Sequence, residues 1–193
     1  MNTTSKDKNL TWNYALIQSF FWMNFAAIMG FSSIYLLDCS ITNTQIGIII
    51  AAAGVISAIL QPVVASYADR PSSASLRSIV TMICLVILAV NVVILFLYHH
   101  SPLLTGLFYG GSITLLQLML PLVNSLGTET MNQGRKLNWG IARGMGSLVY
   151  AIIAYLLGII VEKTTTLSVP VSIVIGFILM TAAVLLFPFQ KSV

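Results

Sequence analysis

Six apolar runs, each about twenty residues long and almost free of charge, constrain this chain more than any other feature of its sequence. In hydrocarbon an unpaired backbone N–H or C=O is costly, so such a run is expected as a helix, whose hydrogen bonds are internal. None shows the apolar–polar alternation of a barrel strand. The runs place spanning helices at about 14–37, 45–68, 77–98, 103–127, 139–161 and 168–188, an all-α integral membrane bundle over 14–188. Composition points the same way: 7% of residues are charged and 58% hydrophobic, where a soluble domain carries about 25% charged. A chain of 193 residues cannot hide that much apolar surface in one small core. The lipid bilayer is therefore its first expected partner.

The links Asp38–Asn43, Asp69–Leu76, His99–Pro102, Thr128–Asn138 and Glu162–Leu167 are short, so consecutive helices are expected as antiparallel neighbours with no soluble domain. Segment 1–13 is polar and expected to precede the first span, and 189–193 to form a tail. The first apolar run is too long for a signal peptide and lacks a clear cleavage site, so it is expected to be retained. With alternating helices, Lys6, Lys8, Arg70, Arg77, Arg135, Lys136 and Lys191 fall on one side. The other side has Lys163 beside Glu162, with Asp38 and the pair His99–His100. The bias of basic residues toward the cytoplasm then puts both termini there. Pro62 is expected to bend the second helix.

Several functions lose support. The nine basic residues are scattered, with no cluster interleaved with aromatics that would track nucleic acid. Cys39 and Cys84 lie far apart and fit no metal spacing. No glycine loop followed by Lys cradles phosphates, and no catalytic triad or metal cluster is visible. Neither an enzyme nor a cofactor is expected.

An ionised group inside a spanning helix is expensive and therefore a functional candidate. Arg143 is the clear case, about one turn into the fifth helix between Gly140, Gly144 and Gly146. Its guanidinium offers five fixed donors, suited to carboxylates or paired hydroxyls. The alternative is snorkelling to the headgroups. Gly140 with Gly144, and Gly106 with Gly110 in the fourth helix, form faces on which another backbone can approach. Gln117 and Asn124, seven apart, share one face of the fourth helix. They are either solute ligands or interhelical glue. Asn24 in the first helix is a weaker case of the same kind. Tyr150 lies seven residues beyond Arg143 on its face, either to stack on a solute or to pack.

Four stretches carry a resemblance: Phe21-Trp22-Met23 with Ile28-Met29-Gly30; Ile46 to Ala52 through Gln61-Pro62 to Ala68-Asp69-Arg70; Pro121-Leu122-Val123-Asn124; and Gly140 to Ser147. In this order and spacing the chain resembles the amino-terminal six-helix half of the oligosaccharide:proton symporters of the major facilitator superfamily, the lactose permease branch. The resemblance implies one half of that fold, as 3+3 inverted repeats, in a bacterial inner membrane. It implies sugar–proton symport by alternating access, with Arg143 as a principal ligand, an acidic residue at the position of Asn124, and Tyr150 stacking on the sugar. Asp69, Arg70 and Arg77 match the family's signature between helices two and three, where the Asp docks on a helix of the other half. Ala65 and Pro71 depart from that signature, and Asn124 departs from the acid. An anionic substrate would restore the missing charge, and nucleoside and aromatic-acid carriers look similar at this level.

A full transporter of this kind has two six-helix halves with the site between them near the midplane. This chain stops after Val193. The expectation is a half-transporter for a small-molecule solute, completed by a second half or by a second copy. The readings of another class are a non-transporting accessory, immunity or sensor protein, and a truncated inactive remnant.

Overall fold

The computed structural model describes residues 3–70 and 74–189, with side chains from Leu10 onward. Helix α1, Thr3–Phe25, runs into a π-helical turn at Ala26–Gly30 and, past Phe31, into the short α2, Ser32–Asp38. Then follow α3 (Asn43–Ala68), α4 (Leu76–Leu97), α5 (Pro102–Asn132), α6 (Trp139–Lys163) and α7 (Ser168–Leu186). Among the described residues five helices are long and apolar enough to cross a membrane, and α1 with α2 makes a sixth span bent by 46°.

The starts of the helices have local causes. The side chains of Thr42, Ser75, Ser101 and Asn138 each accept from a backbone N–H in the first turn of the helix that follows. Thr42 forms a full capping box with Gln45, and Pro102 takes the first position of α5, where its missing N–H costs nothing. Two boundaries differ by more than two residues from those read in the sequence. Helix α1 begins at Thr3, so the polar segment expected before the first span forms that helix's opening turns. Helix α5 continues to Asn132, well past 127. The tail 190–193, Pro71 and the side chains of Lys6, Lys8 and Lys191 lie outside the described residues.

A sharp kink falls in the first span. Helix α3 continues through Pro62 as one element, whereas the first span breaks at Gly30, Phe31, Ser32 and Ser33, without a proline. A π turn together with Gly and Ser is a recognised cause of sharp kinks. The irregular turn is tolerated because neighbours serve its carbonyls. Tyr109 of α5, fully buried, donates its hydroxyl to the Ile28 carbonyl at 2.9 Å, and Ser32 donates to Met29 at 3.0 Å.

The helices form an open arc. Helix α3 packs on α5, α5 on α4, α4 on α7, α7 on α1, and α1 on α6. Exchanging spans one, two and three with spans four, five and six maps this list of neighbours onto itself. Since each triplet has an odd number of crossings, the second enters from the opposite side. The bundle is thus one six-helix half of a major facilitator fold, a 3+3 inverted repeat. Its two ends, α3 and α6, flank an open face that α1 and α5 back.

Small residues set the close approaches. A Cβ added at Gly106 or Gly110 would stand 3.0 or 3.1 Å from the Ile49 side chain, so these glycines let α3 lie against α5. The expected counterpart on α6 is different. A Cβ at Gly144 meets nothing within 4 Å, and one at Gly140 meets only the Asn138 side chain, at 3.5 Å. The close contact of α6 is made by Gly146, one turn further round the helix from Ala142.

Each end of the bundle is tied. At one end Arg77 donates to the Phe187 carbonyl at 3.3 Å and Arg135 to that of Pro188 at 2.5 Å, placing two cations on the C-terminus of α7. At the other, Tyr98 and Thr166 both donate to Asp38 Oδ2, at 2.8 and 2.5 Å, with His99 Nε2 at 3.5 Å from the same oxygen. Burial, foremost, holds the Tyr98 phenol above its ordinary pKa, so it remains a donor to that carboxylate. His100 caps the same end through Tyr98 O at 2.8 Å. Both cysteines are buried and free.

Candidate functional site

The centre of the open face is organised by α1. Tyr14, Gln18 and Trp22 recur every four residues and so stack on one stripe of the helix. Tyr14 donates its hydroxyl to the Val123 carbonyl of α5 at 3.1 Å. Gln18 donates to Tyr14 Oη at 2.7 Å and to Asn124 Oδ1 at 3.3 Å. Trp22 donates its indole N–H to Gln18 Oε1 at 3.2 Å. One fully buried amide, Gln18, therefore joins two aromatic side chains of α1 to Asn124 of α5.

Two glycines make room for the aromatics. A Cβ at Gly127 would stand 2.5 Å from the Tyr14 ring, and one at Gly146 would stand 2.5 Å from the Trp22 ring and 3.3 Å from the Gln18 carbonyl oxygen. Without a side chain at 146, the Trp22 indole lies flat toward α6. There it meets Arg143, whose guanidinium carbon is 4.2 Å from the ring centroid. Tyr150 closes the same wall, edge-on to Trp22 with centroids 6.2 Å apart, and Phe25 stands 5.0 Å from Trp22.

Arg143 is half-buried, and its Nη1 atom is buried with no hydrogen-bond partner. A cation over an indole gains about 0.5–2 kcal/mol, while a buried donor left unmet costs about 1–3 kcal/mol. The ring steadies the guanidinium without satisfying it. No salt bridge involves Arg143 among the described residues. The acids whose side chains are described, Asp38, Asp69, Glu129 and Glu162, stand at or near the ends of their helices.

Of the residues singled out in the sequence, Arg143, Asn124 and Tyr150 are brought around Trp22 and Gln18. Gln117 stands apart. It lies at the α3–α5 seam, where its Oε1 would be 3.8 Å from a Cβ on Gly54 and Gln61 donates to its carbonyl at 3.4 Å. Asn24 is not on the open face. It is fully buried against Gly176 of α7, with its Nδ2 donated to Phe20 O at 2.8 Å and its Oδ1 unpaired. Two residues on from Trp22 is a rotation of about 200°, which turns Asn24 to the opposite side of α1. Asp69 is exposed and, with Glu129, lines a groove of about 550 Å³ between α3 and α5. Arg77 is held in the α7 clasp. Tyr14, Gln18 and Trp22 were not singled out as site residues by sequence reasoning. Their polar–aromatic repeat of four along α1 is the signal that marks them.

Among known protein families, the model described as the MFS_1 like family matches residues 11–193. No match was found among curated proteins or among solved structures.

Proposed function

Since the chain belongs to the MFS_1 like family, a relative of the major facilitator transporters, we propose that it is the solute-binding half of a secondary carrier working by alternating access. The observation that carries this reading is Arg143, a half-buried cation of α6 with an unmet donor, set over the Trp22 ring of α1. Arg143 grips the solute, Asn124 adds a second polar contact, and Trp22 and Tyr150 supply a flat wall. Gln18 positions Asn124 and Trp22 without needing to touch the solute.

Closing such a site requires a second six-helix unit against α3 and α6, from a partner or from a second copy. Proton coupling on this reading draws its carboxylate from that unit, because the described acids here sit at helix ends. Arg70, Arg77 and Arg135 stand at one end of the bundle, which favours a cytoplasmic location for that end and for both termini in a bacterial inner membrane. Sugar–proton symport is the form that the lactose permease resemblance implies, with nucleoside and aromatic-acid uptake as the alternatives. The choice among them turns on the hydrogen-bonding capacity of the site.

The test is uptake of radiolabelled galactosides, nucleosides and aromatic acids by cells expressing the chain, with wild type and Arg143→Ala at equal membrane levels. Saturable uptake that the substitution removes supports the carrier. Wild-type cells that hold the chain in the membrane yet take up none of the panel above background would remove the reading of a carrier completed by a second copy, leaving a half that needs its partner or an inactive remnant.

A further inference from the structure

We infer that the Arg143 site takes an organic anion, a small carboxylate with a flat apolar body, in preference to a neutral sugar. This rests on the carrier reading only for its transport arm; the ligand class follows from the donors and acceptors of the site.

Three acceptors of the cluster each already take one hydrogen bond. Gln18 Oε1 accepts from Trp22, Asn124 Oδ1 accepts from Gln18, and Tyr14 Oη accepts from Gln18 while its proton goes to the Val123 carbonyl. Against them stands an excess of donors: Arg143 with Nη1 unpartnered and buried, and the amide nitrogen of Asn124, whose oxygen is the atom held by Gln18; the Tyr150 hydroxyl can serve either way. A sugar hydroxyl must donate as well as accept, and a buried hydroxyl without an acceptor is penalised. An ionised carboxylate only accepts, with two oxygens matched to the guanidinium fork. It would also neutralise a charge that no acid of the described residues meets. The walls choose the body. Trp22, Phe25 and Tyr150 form a continuous aromatic cluster beside the guanidinium, which favours a planar or apolar group over a ring bristling with hydroxyls.

Matched ligands test this on the purified full chain in detergent. Phenylacetate and benzoate are compared with phenylacetamide, benzamide and methyl galactoside by equilibrium binding of the radiolabelled compounds near neutral pH. The expected result is saturable binding of the carboxylates, at least tenfold tighter than their amides, and no saturable binding of the galactoside. Arg143→Gln should abolish that preference. Asn124→Asp, which adds an acceptor and a negative charge beside Gln18, should weaken the carboxylates at least tenfold while the protein melts as wild type does. Amides that compete equally with the acids overturn the proposal, as does galactoside binding without carboxylate binding, or no binding of either by protein that melts cooperatively. Anion-selective binding without uptake in proteoliposomes would leave the anion site standing and remove the reading of a carrier completed by a second copy instead.

Discussion

The Trp22 indole N–H is donated to Gln18 at 3.2 Å while the face of the same ring lies 4.2 Å from the Arg143 guanidinium carbon. One side chain thus converts a buried hydrogen bond on α1 into the orientation of a cation on α6. The two functions of the ring are separable. Trp22→Phe keeps an aromatic face but has no N–H to anchor it. Trp22→Ala removes both. With the cation–π contact worth about 0.5–2 kcal/mol, phenylacetate binding is expected to fall roughly 2- to 30-fold in Trp22→Ala. Trp22→Phe is expected to lie between that and wild type. Equal affinity in all three would mean the ring has no part in holding Arg143 for a ligand.

Gln18 is fully buried and engaged at both ends of its amide, so it can be replaced in two informative ways. Gln18→Leu keeps the bulk but leaves the Trp22 N–H and the Asn124 oxygen without their partner. A buried polar group stripped of its partner costs about 1–3 kcal/mol, so the thermal midpoint of the purified chain should drop. Gln18→Glu retains an acceptor for Trp22 and puts a carboxylate two side chains from Arg143. Ligand anions should then bind more weakly even where the midpoint is preserved. A Gln18→Glu protein that binds phenylacetate as tightly as wild type would separate Gln18 from the site.

Two glycines of α6 distinguish packing from pattern. Gly140 and Gly144 are the obvious small-xxx-small pair in the sequence, yet a Cβ at 144 meets open space. At Gly146 the same atom would be driven into the Trp22 ring, with the Gln18 backbone behind it. Gly146→Ala is expected to displace Trp22 and destabilise the chain by about 1–3 kcal/mol, as overpacking does. Gly144→Ala is expected to match or slightly exceed wild-type stability, since Ala is the better helix former by about 1 kcal/mol. Thermal melts of the two variants side by side decide it, and the reverse order would refute the assignment of the close contact to Gly146.

What the sequence made legible follows from how strongly hydrocarbon constrains a chain. Long uncharged runs have one outcome in lipid, so the number and order of spans could be read directly, and the short links fixed their alternation. The break in the first span was harder, because Gly30 and Ser32–Ser33 disrupt a helix only when a neighbour, here Tyr109, stands ready to bond the freed carbonyl. Arg143 stood out because charge within a span is rare. Gln18 did not, because an isolated amide in an apolar run has the same appearance whether it glues helices or organises a site. Its role becomes visible only when α5 brings Asn124 beside it. Asn24 shows the converse. Its residue type suggested a ligand, but the angular position that turns it to α7 is fixed by which face of α1 holds Tyr14 and Trp22.

That placement of Asn24 leads to a prediction about a pair. A Cβ at Gly176 would stand 2.9 Å from Asn24 Cγ and Nδ2, closer than real atoms tolerate, so α7 can approach α1 only because position 176 has no side chain. The Asn24 amide is itself half-satisfied, with Nδ2 bonded to Phe20 O and Oδ1 unpaired and buried. Gly176→Ala alone should therefore destabilise the bundle by about 1–3 kcal/mol through overpacking. Asn24→Ala removes the obstructing amide together with its unpaired oxygen, and should be mild alone. In the double variant the new methyl occupies the space that the amide left, so the two effects should not add. A coupling of roughly 1–2 kcal/mol in the stabilising direction is expected, within the range for side chains in contact. Measured on the same four proteins, phenylacetate affinity should change little in Asn24→Ala, because Asn24 faces away from the Arg143 cluster. Strictly additive melting shifts would show that the two residues do not touch, and a collapse of binding in Asn24→Ala with stability intact would return Asn24 to the solute site.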